Sequence, residues 1–404
     1  MPAYTILRNL AVPKDGAVPK SADFEVMGAA TTAAAPPAPV LPQPHVQVDD
    51  LSEKDAREAA RDPQVKGVAQ VMPVTLIAPT DTADAGAAAA SSAWGIEAVK
   101  ANTSPCTGSG IVVAVLDTGI DKNHHAFFGV DITEEDFTGA GNGDQHGHGT
   151  HCAGTIFGQD VSGTRIGIAR GVKRALIGRV LGAKGNGNSD MIFNGLQWAV
   201  SQGAHVVSMS LGFDFPGMVE SMVEGGWPAA LATSNALEAY RANLRMFDAL
   251  MGMIKARAEL LGSAVIIAAA GNESRRKADP KFRIAASLPA AAEDVISVAA
   301  LAKSGPSFDI APFSNIFPEV SAPGVDIVSA KLGGGLASMS GTSMACPHVA
   351  GVAALWWERL RSTPGIKASP KLVMDRLRTE ARPGVLVAGL DPSDYGVGMV
   401  TAPQ

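Results

Sequence analysis

Three short apolar runs punctuate the chain. Ile111 to Leu116 is apolar throughout and stops at Asp117-Thr118-Gly119. Val265 to Ala270 repeats the pattern and stops at Gly271-Asn272, and His205 to Gly212 holds a third run. Continuous apolar runs of this length read as strands buried on both faces, which predicts a parallel sheet with helices over both sides. Met344 to Leu355 is built from small and apolar residues. A helix without a polar face belongs inside a large domain. Pro347 fits only the first turn of such a helix, so the pattern predicts a start close to Ser343 and a run to about Trp357.

The first ninety residues follow a different pattern. Ala3 to Leu10 reads as a strand, and residues 28–44, rich in Ala, Thr and Pro, read as a flexible insert. His45 to Val48 is strand-like, Leu51 to Arg61 is helix-like with Ser52 as its cap, and Val65 to Ile77 is strand-like. Residues 83–93 are small and form a linker. The division is therefore a small α+β unit at 1–82, the linker, and a large α/β domain at 94–404. Within the latter, residues 213–262 form an extended insert. Leu237, Tyr240, Leu244, Phe247, Met251, Ile254, Ala258 and Leu261 recur at steps of three and four, the seam of an amphipathic helix over 236–261. Asn235 with Glu238 has the form of a capping box, and Gly262 is a suitable stop. This helix is a long surface element or a site for a protein partner. The stretch before it, with Phe213, Phe215, Met218, Met222 and Trp227, leaves Gly212 and is placed to roof a cleft.

Composition narrows the class. With 404 residues, 46% hydrophobic and 18% charged, the chain can bury a large core. A net charge of −6 gives no reason to expect nucleic acid or an anionic membrane as partner. No apolar run reaches the ~18 residues of a membrane span. Three cysteines cannot build a disulfide framework, and the first residues lack a basic-then-apolar leader, so the expected location is cytoplasmic.

Chemistry enters at the ends of the runs. Functional groups of open parallel sheets gather at the carboxyl ends of strands, where Asp117 and Asn272 fall. His148-Gly149-Thr150-His151 follows a glycine-rich loop, and Gly341-Thr342-Ser343-Met344-Ala345 opens the buried helix. A serine hydroxyl needs a base to become a nucleophile, and a histidine serves best near neutral pH. A carboxylate orients that imidazole, and a carboxamide can meet a developing oxyanion. Ser343, His148, Asp117 and Asn272 take those roles in that order. His146, His148, His151 and Cys152 could instead suggest zinc, but the spacing is not that of a finger. Cys152 and Cys346 each lie one helical turn beyond a catalytic residue, which predicts that a bulky thiol reagent would disturb His148.

These motifs resemble the subtilisin-like serine proteases, the subtilases. The order Asp, His, Ser is theirs, and the resemblance runs from about Trp94 to the C-terminus. It takes in Val180-Leu181-Gly182, Asn194-Gly195, Ser321-Ala322-Pro323-Gly324-Val325 and Tyr395-Gly396-Val397-Gly398. It implies a three-layer subtilisin-like fold with a mainly parallel central sheet, and a serine endopeptidase acting through an acyl-enzyme. It implies an extended polypeptide substrate paired with Gly185, Asn186 and Gly187 on one side and Ser210, Leu211 and Gly212 on the other. Ala269, Ala270 and Gly271 would line the pocket for the residue before the cut. The N-terminal unit resembles a propeptide: an intramolecular inhibitor removed by autoprocessing between about Pro79 and Ala93, making the chain a zymogen. The chemistry requires no cofactor. Structural calcium is frequent among such proteins, but Ala126 stands where an acidic ligand would be expected, leaving Asp121 and Asp160, and no calcium is assigned. The other reading is a catalytically silent protein that keeps the fold for binding.

Overall fold

The computed structural model describes residues 1–10, 43–85, 93–261 and 264–404. An eight-stranded sheet forms the centre, in the order Ser307–Ile310, Val295–Ser304, Val265–Ala269, Val206–Met209, Val112–Asp117, Arg174–Arg179, Asp131–Asp136, with Val320–Pro323 also paired to Val295–Ser304. All pairings are parallel except that of Ser307–Ile310. The apolar runs supply the middle strands because they have no polar face to turn to water. Alternate residues serve opposite faces: Val113, Val115, Val265 and Ile267 join one core, while Ala114, Leu116, Ile266 and Ala268 join the other. Helices His148–Phe157 and Thr342–Ser362 cover the first face; Ser189–Ser201 and Ala229–Leu261 cover the second. The expected three-layer α/β architecture is present.

The third run divides. Val206–Met209 stays in the sheet, whereas Leu211–Phe213 leaves it and pairs elsewhere. The buried helix runs from Thr342 to Ser362, longer than expected, because Trp356 and Trp357 are anchored through their indole N–H groups to the carbonyls of Thr401 and His205. Pro347 lies beyond the first turn. Its missing N–H leaves the Ser343 carbonyl without its intrahelical donor, and the Ser210 hydroxyl (3.1 Å) and Cys152 thiol (3.4 Å) take that place.

Ala3–Leu10 pairs antiparallel with Gln43–Asp50 and Val65–Gln70, and Glu53–Ala59 is a helix capped by Ser52. Of the segment 28–44, only Gln43 and Pro44 are described, and they begin a strand. The expected strand over 65–77 breaks at Val71-Met72, since Pro73–Leu76 pairs with a different sheet. Part of the expected linker is also a strand: Asp81–Ala85 pairs with Leu336–Ser340, and residues 86–92 lie outside the described residues. The long helix begins at Ala229, seven residues before the expected start, so Asn235 is no cap; the expected stop at Gly262 lies outside the described residues. Its buried seam received Met246, Leu250 and Asn243 in addition to Phe247, Met251 and Ile254, while Leu237 is exposed. It packs against Val65–Gln70: Met246 lies against Gly67, and the Asn243 carboxamide donates to the Gln70 carbonyl at 2.8 Å. Among the described residues no helix is long and apolar enough to cross a membrane.

Candidate active site

Asp117 ends its strand with its carbonyl accepting the N–H groups of Val180 and Leu181, which fixes the backbone from the neighbouring crossover. Its side chain is fully buried. His148 opens the helix His148–Phe157 after Gly147, whose φ of 96° is a left-handed conformation that suits glycine. The two meet: His148 Nδ1 lies 2.8 and 3.0 Å from the Asp117 carboxylate oxygens. A carboxylate there requires the Nδ1 proton, which leaves Nε2 free to accept one. The approach demands that Gly149 lack a side chain, since a Cβ would stand 2.2 Å from the Gly119 carbonyl oxygen.

Asp144 organises the loop before His148, and sequence reading passed it over. Its carboxylate accepts from the Thr118 and Thr150 hydroxyls and the N–H groups of His146, Gly147 and Thr150. Thr118 in turn donates its N–H to Asp117 and accepts from Gly149. Burial alone would raise the Asp144 carboxyl; the donors, led by the Thr150 hydroxyl, outweigh it and hold the group below the usual carboxylate range. An aspartate four residues before a histidine gives no signal of this; the five donors come together only in the folded loop.

Ser343 lies in the first turn of its helix and is buried. Its hydroxyl donates to the carbonyl of Ile77 (2.6 Å), not to His148. Cys152 lies beneath the imidazole, its sulfur 3.7 Å from Nδ1 and 4.0 Å from Nε2. Burial raises the Cys152 thiol well above its ordinary value, so it remains protonated. Asn272 is oriented by Thr342, whose N–H and hydroxyl both donate to Oδ1 at 2.9 Å; Nδ2 then faces the cleft and donates to the Ala78 carbonyl at 2.9 Å. Asn315 braces the same loop by accepting from Glu273 and Ser274 and donating to the Ala270 carbonyl.

The edge segments expected to hold substrate hold the chain itself. Val74 and Thr75 pair with Gly187 and Asn186, the Leu76 N–H donates to the Gly185 carbonyl, and Leu211 and Gly212 pair with Leu76 and Thr75. The Ile77 N–H reaches the Ser210 carbonyl at 3.4 Å. Ile77 is buried in the same core as Ala269, the strand that continues into Ala270 and Gly271. Sequence reading assigned Ile77 to the N-terminal sheet; Pro73 and Pro79, which bracket the cleft-bound residues, were the signal available.

The metal reading does not gather its four residues. His151 Nε2 points to the carbonyls of Ile327 and Ala337, and among the described residues the donors that cluster are Asp117, His148 and Cys152, the site itself. Asp121 accepts from the N–H groups of Asn123 and Gly333, and Asp160 pairs with Arg170.

A parallel sheet covered on both faces, with a carboxylate-held imidazole and a helix-borne serine at one cleft, defines the class as α/β hydrolytic enzymes of the subtilisin type. The chain belongs to the subtilase family, whose model matches residues 108–398. It is 29% identical to a subtilisin-like serine protease of Penicillium citrinum, over 78% of this chain and 71% of that protein. It is 35% identical to a subtilisin-like protease of Coccidioides posadasii, over 67% of this chain and 57% of the relative. With a subtilisin-like protease of Trichophyton verrucosum the identity is 34%, over 62% and 52%. The chain thus spans little more than half the length of two of these relatives. Their kinship corrects the cytoplasmic location: these are fungal proteases of a kind typically secreted, and a cytoplasmic location is not supported. Three buried free cysteines were an insufficient guide, because burial by itself protects a thiol in either compartment.

Proposed function

We propose that the protein is a serine endopeptidase that hydrolyses extended polypeptides and is made as a self-inhibited precursor. Ser343 attacks the carbonyl carbon, His148 takes its proton and delivers it to the leaving amine, and Asp117 holds the imidazole and stabilises its charged form. Asn272 and the N–H of Ser343 face the oxyanion, favoured by the start of the Thr342–Ser362 helix. The observation that carries this reading is the chain segment 73–77 lying between the edges 186–188 and 211–213, with a carbonyl at the Ser343 hydroxyl. Strand addition of this kind takes its affinity from main-chain hydrogen bonds, so folded substrates must present a loop.

Residues 1–82 act as the inhibitory unit in this proposal, and the insert at 213–262 is their dock. The long helix lies on Val65–Gln70, and the helix Phe215–Glu224 packs beside it and touches the cleft strand Pro73–Leu76. The insert serves the chain's own N-terminal unit and narrows access to the cleft. A fluorophosphonate probe tests the catalytic reading: labelling of the wild type, abolished in Ser343→Ala, is expected. A wild-type protein freed of residues 73–85 that stays unlabelled would make the chain a silent binding protein.

A further inference from the structure

We infer that the bond between Ile77 and Ala78 is the one this enzyme cuts in its own chain, and that its cleft selects polypeptides with an aliphatic residue just before the cut. The inference rests on the endopeptidase reading and adds a bond and a substrate class to it.

The chain is held on both sides of the nucleophile. Upstream, Pro73–Leu76 is clamped as the middle strand of three, and the Ile77 N–H is bound to Ser210. Downstream, the Thr80 N–H donates to the Ser340 carbonyl at 2.8 Å, and Asp81–Ala85 continues as a strand against Leu336–Ser340. Among the described residues the links from Ile77 to Thr80 are those that cross the nucleophile, so a cut within the linker at 83–93 would require this whole register to slip.

Two carbonyls compete within that crossing. The Ile77 oxygen lies 2.6 Å from Ser343 Oγ, and the Ala78 oxygen meets Asn272. Side chains decide between them. A protease must seat the side chain that precedes the cut, and Ile77 is 4% exposed in the core shared with Ala269, whereas Ala78 is exposed. The bond after Ala78 also ends in Pro79, whose nitrogen bears a ring carbon in place of hydrogen and crowds any proton donor approaching it.

Cleavage after Ile77 proceeds in two steps. Ser343 Oγ bonds to the Ile77 carbonyl carbon while its proton passes to His148. The C–N bond breaks, and that proton leaves with the Ala78 amine. Water then hydrolyses the Ile77 ester, giving the Ile77 carboxylate and restoring the Ser343 hydroxyl. In the bound state Asn272 is engaged by the carbonyl beyond the scissile bond, so the oxyanion donor must transfer by one carbonyl before reaction. That misalignment lets the segment act as an inhibitor before it acts as a substrate.

The experiment uses the full chain as wild type, Ser343→Ala and Ile77→Asp. Intact mass and N-terminal sequencing are combined with fluorophosphonate labelling. The expected wild-type product begins at Ala78, and Ser343→Ala remains whole. Ile77→Asp should process on the order of 100-fold more slowly, since the pocket would bury an unpaired charge. A synthetic peptide of residues 73–80 should be cut at the same bond and resist when Asp replaces its isoleucine. A product beginning at Pro79 or later, a peptide cut elsewhere, or a labelled enzyme that leaves its own chain whole overturns the inference and leaves the endopeptidase reading standing. Failure of the probe to label the wild type after residues 73–85 are removed defeats that reading itself.

Discussion

The central sheet and the N-terminal sheet solve the same problem differently. The central sheet buries both faces under helices of its own domain, and its middle strands are apolar throughout. Among the described residues the N-terminal unit has three paired strands and one short helix, and its buried residues form no cluster of their own. Leu7, Val46, Ala69 and Met72 therefore join a cluster completed by Met246, Phe247 and Leu250 of the long helix. One region is self-sufficient and the other borrows its core. A borrowed core can be given up, as the proposed inhibitory role requires.

Ser343→Ala separates the regions most sharply. Turnover should fall by about 10⁶-fold, the scale at which subtilisin loses activity without its nucleophile, while the thermal midpoint of the catalytic domain stays within a degree or two. Loss of folding in this variant would show that the site and the core are not separable. Asn272→Ala should cost about 3 kcal/mol of transition-state stabilisation, as removal of one such donor does in subtilisin, read as a fall in kcat with little change in KM.

Met246→Ala acts on the other region. Truncating a buried methionine costs roughly 2–5 kcal/mol, and the loss should fall on the N-terminal unit. Faster probe labelling and earlier proteolysis of residues 1–70 are expected, with an unshifted main unfolding transition. If the main transition falls instead, the core is shared in both directions.

Asp144→Asn should lower stability by about 1–3 kcal/mol, the cost of disturbing a buried hydrogen-bonded group. The Asp144 carboxyl is depressed in the fold, so its contribution is present above the unfolded value and lost as pH falls through the folded one. The variant should therefore show a weaker acid dependence than the wild type; an unaltered pH profile would remove Asp144 from the account. The buried histidines act through pH and not through a substitution. Burial, with His148 adding to it, lowers His151 to about 3, and burial lowers His348 to about 4. Both are neutral in the fold and take up protons on unfolding below about 6.5. Stability is thus full above that pH and declines by about 1.4 kcal/mol per pH unit for each histidine as pH falls toward 4. Denaturant titrations at pH 7.5 and 5 measure it.

Much of the fold was legible because burial on two faces leaves a mark in composition. Val112–Asp117 and Val265–Ala269 could be read from apolar runs alone, and their ends pointed to Asp117 and Asn272. His205 to Gly212 also read as a run, but the part of 185–187 and 210–212 as edges of a cleft was legible only through family resemblance, since glycine and serine in a strand carry no periodic signal. The long helix was read from its seam, but its start was missed because Ala229 to Ser234 is helix-compatible without being apolar on one side.

The chain's order of residues by itself determined which groups could react and which runs had to be buried, for both follow from local chemistry and from the cost of exposing apolar surface to water. Tertiary structure alone decided that the His148 imidazole faces Asp117, that Asp144 gathers its donors, and that residues 73–77 lie in the cleft rather than in the N-terminal sheet. Those outcomes depend on contacts between segments far apart in the chain, whose partners no local pattern names.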